Sequence, residues 1–157
     1  ALIENQSGKL LGYVYLDLFS RPNKVGGAAN FPIRFPSMHN DIGRIALFAI
    51  LTHPVVQGKS DFLLRVECVW LNYVKFLLYR FGMLTWHEVE TLFHEFGHTL
   101  QALLSQTQLQ HFAGTRSFLD FVETFSLFFE HFPTDYRVAR LWAKHYRDGT
   151  AFLTVCE

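Results

Sequence analysis

TWHEVETLFHEFGHTLQALLS, residues 85–105, carries the spacing of an amphipathic helix. Val89, Leu92, Phe93, Phe96, Leu100, Leu103 and Leu104 recur every three or four positions and form one wide apolar face. Thr85 and Glu88 fit a capping box, in which hydroxyl and carboxylate satisfy reciprocal backbone donors at the helix start. Inside this helix lies His94-Glu95-Phe96-Gly97-His98, of the form H-E-x-x-H. At about 3.6 residues per turn, His94 and His98 stand one turn apart on one face. Both imidazoles can then reach a single ion at about 2.0–2.1 Å. Glu95 flanks the same face and is placed to take a proton from water rather than to ligate, as a general base does. Gly97 lets another chain segment or a substrate come close. With eight His and eight Glu in the chain, chance alone yields this pattern in about 2 of 100 such sequences. That rarity favours a metal motif over two histidines merely facing a core. His87-Glu88 has no second histidine after it and reads as helix N-terminus.

A catalytic zinc needs three protein ligands and an open position. The extended form H-E-x-x-H-x-x-G-x-x-H does not apply, because positions 101 and 104 are Gln101 and Leu104. The third ligand is sought in a second helix. Ser117-Phe118-Leu119-Asp120 repeats the capping pattern, and the helix is expected to run to Phe132, where Pro133 stops it. Between Phe118 and Phe132 nearly every residue is apolar, the pattern of a helix buried on all sides. Asp120, Glu123 and Glu130 interrupt it, and a buried carboxylate needs a metal, an ion pair or a hydrogen bond. Capping accounts for Asp120. Glu123 is the choice for the metal. Glu130, seven residues on and on the same face, is either a group that orients a ligand histidine through its second ring nitrogen or, equally well, a rim carboxylate. Asp120 and Glu130 are thus the candidates for residues standing behind the ligands.

Outside these helices the signals are coarser. Gly12–Phe19 (GYVYLDLF) reads as a strand, residues 20–27 as a turn, and Ala28–Phe35 (AANFPIRF) as a returning strand, giving a β-hairpin over 12–35. Pro32 argues for a sheet edge, since proline cannot donate to a ladder. Residues 36–83 are apolar with poorly marked boundaries. A third helix is expected from about Asp135 to Asp148, ended by Gly149. The expected fold is mainly α with a small N-terminal β-hairpin, in one domain whose zinc-site helices span 84–149.

Composition excludes several classes. The 157 residues carry 14 Lys+Arg against 14 Asp+Glu, and a neutral chain lacks the basic face that nucleic acid requires. Half the residues are hydrophobic and 18% charged, which excludes disorder. The uncharged stretch from Ile45 to Gly58 is too short, and too broken by Pro54, to span a bilayer. The apolar run from Phe62 to Leu84 carries Arg65, Glu67, Lys75 and Arg80. Cys68 and Cys156 make neither a disulfide framework nor a CxxC site and suit a reducing compartment. His39, His53, His131 and His145 have no partner pattern. The chain begins at Ala1 without an initiator Met, a signal peptide or a transit peptide, which favours a fragment over a processed leader.

The stretch from Glu88 to His98, continued by Leu103-Leu104-Ser105, Gln110 to Arg116 (QHFAGTR) and Asp120-Phe121-Val122-Glu123, resembles the zinc-helix signature of the thimet oligopeptidase family of metallopeptidases. Gly12–Phe19 with Arg21 resembles the strand that precedes the site in that family. The Q-H-x-x-G-T-R loop and the expected helix around His145-Tyr146 are similar to its mitochondrial branch. The resemblance covers about 12–35 and 84–149. It implies a zincin-like, two-lobed helical metallopeptidase of which this chain is a catalytic-core part, one Zn2+ per chain, and Glu123 as the third ligand. Family members usually have histidine where Gln101 stands, a position that does not hold the metal. Residues 36–83 depart from the family pattern, as an insertion or as non-coding sequence carried through a gene model. The family's downstream Tyr- and His-bearing loop would fall beyond Glu157.

The expectation is therefore a zinc metalloendopeptidase with His94, His98 and Glu123 on the metal and Glu95 as general base. It would act on peptides or protein presequences, without nucleic acid and without a membrane span. The resemblance implies the mitochondrial matrix, with the cytoplasm as alternative. Two other readings stand beside it: a catalytically incomplete zinc-binding fragment, and a structural zinc module closed by His111 or Cys156. The aromatic excess, 17 Phe, 6 Tyr and 3 Trp, suggests helices that bury against parts lying outside this chain, so the chain should expose apolar surface.

Overall fold

The computed structural model describes residues 2–4, 10–19, 21–36, 42–51, 64–66, 83–140 and 143–145. The strands are β1 (Leu2–Glu4), β2 (Leu10–Phe19), β3 (Ala29–Arg34), β4 (Gly43–Leu51), β5 (Leu64–Val66), β6 (Met83–Leu84) and β7 (Ala143–His145). The helices are α1 (Trp86–Leu104), α2 (Leu119–Thr134) and the single turn α3 (Tyr136–Ala139), with a 3-10 turn at Gln110–Phe112. Among the described residues strand and helix are present in similar measure, so what is described is mixed rather than mainly α.

Four strands form one sheet in the order β1-β2-β4-β3. β4 runs parallel to β2, with Gly12 opposite Gly43 and Val14 opposite Ile45. It runs antiparallel to β3, with Phe31 opposite Ala46. The expected hairpin is thus corrected: β2 and β3 do not pair, because β4 lies between them. Residues 43–51 also fall inside the segment expected to be atypical, yet they supply an interior strand. The turn at 20–27 has chemistry that suits a hairpin but serves a wider connection. β3 is an edge strand, and there the missing N–H of Pro32 costs the sheet nothing in its interior.

Period-two burial gives the sheet one inner face. Gly12, Val14 and Leu18 are buried on β2, as are Gly43, Ile45 and Leu47 on β4, while Tyr15 and Arg44 point away. α1 lies across β2, β3 and β4. Leu103 of α1 enters the gap above Gly12 and Gly43, where a Cβ on Gly12 would collide with its Cδ2. Val89, Leu92, Ala102 and Leu103 are buried with this core, each large aliphatic contributing about 1.5–3 kcal/mol. Leu104, expected on the apolar face, is instead exposed.

Three C-terminal expectations change. α2 continues through Pro133 to Thr134. The helix expected over 135–148 is the single turn Tyr136–Ala139, capped by Asp135. Beyond it Ala143–His145 pairs antiparallel with β5, in a second sheet ordered β6-β5-β7. Partnering by β5 overrides a weak helical propensity there. α2 is not buried on all sides either. Val122, Ser126 and Pro133 are its buried residues, whereas Phe118, Leu119, Phe121, Leu127 and Phe128 are more than half exposed. The helix packs against α1 along one face, and its outer phenylalanines stack edge-on with each other, Phe121 on Phe125 at 5.7 Å and Phe128 on Phe132 at 5.4 Å.

Candidate metal centre

α1 starts where its sequence says it should. The Thr85 hydroxyl accepts from the Glu88 N–H, and the Thr85 N–H donates to Glu88 Oε2 at 2.7 Å. The cap, together with the buried Val89, Leu92 and Leu103, fixes the rotation of the helix on the sheet. Asn30 of β3 adds a polar tie: its Nδ2 donates to Thr99 Oγ1 at 2.6 Å, and Thr99 Oγ1 donates to the Glu95 carbonyl at 2.9 Å. His94 and His98 consequently share one face of α1, their rings edge-to-face with centroids 4.9 Å apart.

α2 supplies the third group. α1 and α2 come together at Gly97, where a Cβ would lie 2.7 Å from the Phe125 carbonyl oxygen and 2.8 Å from Ser126 Cα. That approach carries Glu123 to the histidine pair. Glu123 Oε2 stands 3.4 Å from His94 Nε2 and 3.3 Å from His98 Nε2. Charge-assisted hydrogen bonds would be shorter, about 2.7–2.9 Å. Ligands about 2.0–2.1 Å from a tetrahedral ion are about 3.3–3.4 Å from one another. The two imidazoles and the carboxylate therefore have the donor types of a tetrahedral metal site and, on the two edges from Glu123, its lengths, with all three donor atoms within 4.8 Å of one another. Among the described residues this is the group able to hold a metal ion.

The remaining acids differ. Glu130 Oε1 accepts from His94 Nδ1 at 2.5 Å, so that Nε2 is the ring nitrogen turned to Glu123. Asp120 is exposed and accepts from its neighbour's N–H, Phe121, at 2.8 Å; the N-cap position itself belongs to Phe118, without a side-chain cap bond. Asp120 therefore sits at the start of α2 and is not in the group of three. His111 is exposed in the loop, and Cys156 lies outside the described residues.

Glu95 is buried, with Oε2 unpaired among the described residues. Burial pushes its carboxyl above the ordinary range, His94 opposes that, and Glu123 reinforces it. Burial likewise lowers the pKa of His98, while Glu123 raises it. His98 Nδ1 and the Gln101 carboxamide, three residues on, are also buried without a hydrogen bond among the described residues. Sequence reasoning passed over Ser126, which is fully buried and donates to Glu123 Oε2 at 2.6 Å. Its place three residues after Glu123 puts it one turn on, but a helix serine ordinarily bonds its own backbone, so the sequence carries no distinguishing signal.

Comparison with known proteins bears on the family of the chain. The sequence model of Peptidase family M3 matches residues 1–155. Mitochondrial intermediate peptidase of Arabidopsis thaliana is 40% identical over 139 residues, covering 88% of this chain and 17% of the relative. The Homo sapiens protein of that name is 33% identical over 147 residues, 94% of this chain and 18% of the relative. The Candida glabrata one is 33% identical over 178 residues, 99% of this chain and 22% of the relative. The chain thus spans about a fifth of the length of these curated relatives.

Proposed function

Because the chain belongs to Peptidase family M3, we propose that it is the metal-bearing part of a zinc metalloendopeptidase. His94, His98 and Glu123 would hold the ion. The observation that carries this reading is the placement of Glu123 Oε2 at 3.3–3.4 Å from both imidazole Nε2 atoms, the edge of a zinc-sized tetrahedron. Zinc suits two neutral imidazoles and one carboxylate with a position left for water or substrate. When bound, such an ion supplies Lewis acidity to a water molecule and to the scissile carbonyl.

The protein's own groups do the rest. Glu130 holds the Nδ1 proton of His94 and keeps Nε2 available. Glu95, one residue from His94 and with a buried oxygen that has no hydrogen bond among the described residues, takes the proton of the attacking water and passes it to the leaving amine. The substrates would be peptides or, as the family resemblance implies, protein presequences, and the relatives' names favour mitochondria. Among the described residues no helix is long and apolar enough to cross a membrane.

The test is cleavage of a peptide of about octapeptide length, consistent with an oligopeptidase site, by the 157-residue chain with and without chelator. Chelator-sensitive cleavage that Glu95→Gln abolishes while zinc is retained supports the reading. Zinc bound at one equivalent without cleavage overturns the enzymatic part of it for this chain.

A further inference from the structure

We propose that Ser126 is a positioning residue for the metal centre, selecting which oxygen of Glu123 faces the ion and keeping it there. The inference rests on the metal site proposed above. Glu123 has three rotatable side-chain bonds and sits on a helix whose outer face is exposed, so packing alone does not fix its carboxylate. Ser126, one turn later on the same helix, is fully buried against the backbone contact with Gly97. Its hydroxyl lies 2.6 Å from Glu123 Oε2 and 3.0 Å from the Glu123 carbonyl oxygen. A hydroxyl has one proton, and the shorter, charge-assisted contact is the stronger claim on it.

The accepting atom gives this bond its meaning. Oε2 is the same oxygen that faces His94 Nε2 and His98 Nε2. A carboxylate oxygen offers two lone-pair directions. With one occupied by the Ser126 proton, the other is aimed at the space between the imidazoles. Ser126 thus stands to Glu123 as Glu130 stands to His94, and such supporting bonds commonly change metal affinity by about 10–100-fold. A serine that only satisfied a helix carbonyl would have no such effect.

The experiment titrates the 157-residue chain and its Ser126→Ala, Glu123→Ala and double variants with Zn2+ against a competing chelator. Co2+ absorption spectra and thermal unfolding of the metal-free proteins are recorded in parallel. Alanine favours the helix and removes one atom, so the fold should persist. The expected result is about tenfold weaker Zn2+ binding in Ser126→Ala, an altered Co2+ visible spectrum, and no further loss when Ser126→Ala is added to Glu123→Ala. Unchanged affinity and spectrum in Ser126→Ala, with Glu123→Ala still weakening binding, would overturn the role of Ser126 while leaving the metal site standing. Equal losses from Ser126→Ala with and without Glu123 would also overturn it, since the serine would then not act through that carboxylate. A wild-type chain that binds neither ion would overturn the metal site itself.

Discussion

Gly97 and Ser126 meet backbone to backbone: a Cβ on Gly97 would stand 2.8 Å from Ser126 Cα, closer than packed atoms come. Through this contact α2 delivers Glu123 to the histidines of α1. Gly97→Ala should therefore push the helices apart and weaken Zn2+ binding by at least tenfold, although alanine favours a helix by about 1 kcal/mol over glycine. Chelator competition measures the affinity, and unfolding of the metal-free protein reads the stability. Unchanged affinity would mean that the contact does not set the site.

Glu130 fixes His94 from behind, through Nδ1. Glu130→Gln should lower metal affinity by about 10-fold or more, yet less than Glu123→Ala does. The reverse ranking, measured in the same titration, would reassign the third ligand to Glu130.

The start of α1 is separable from its chemistry. Thr85→Ala removes the capping hydroxyl and should cost about 1 kcal/mol of stability, with zinc stoichiometry unchanged. Denaturant unfolding and metal analysis of the same samples check both halves.

Leu103 fills the space above Gly12 and Gly43 and is wholly buried. Leu103→Ala should destabilise the chain by about 2–5 kcal/mol, because the sheet surface below it has no side chains with which to collapse. A loss below about 1 kcal/mol in denaturant unfolding would place α1 differently on the sheet.

The local features were legible in the sequence because local chemistry determines them. Thr85 and Glu88 cap a helix wherever they stand three residues apart before an apolar run, and His94 and His98 share a face on any straight helix. Glu123 stands out in the sequence as a carboxylate among phenylalanines, although α2 leaves its side chain a third exposed rather than buried on all sides. The strand pairing was not legible. Whether β2 meets β3 or β4 depends on contacts between residues some thirty positions apart, and the turn at 20–27 satisfies either arrangement. The same holds for Ala143–His145, whose helical pattern yields to a partner strand at Leu64–Val66. Ser126 was missed for a different reason. A serine in an apolar helix has an ordinary use, bonding its own backbone, and only its distance to Glu123 Oε2 distinguishes it.

The most direct test of the account is the zinc content of the purified 157-residue chain after equilibration with Zn2+ and removal of excess, compared with that of Glu123→Ala. The account predicts one equivalent in the wild-type chain and loss of tight binding in the variant. Full retention of zinc by Glu123→Ala, or no zinc in the wild-type chain, would contradict the three-residue site formed by His94, His98 and Glu123.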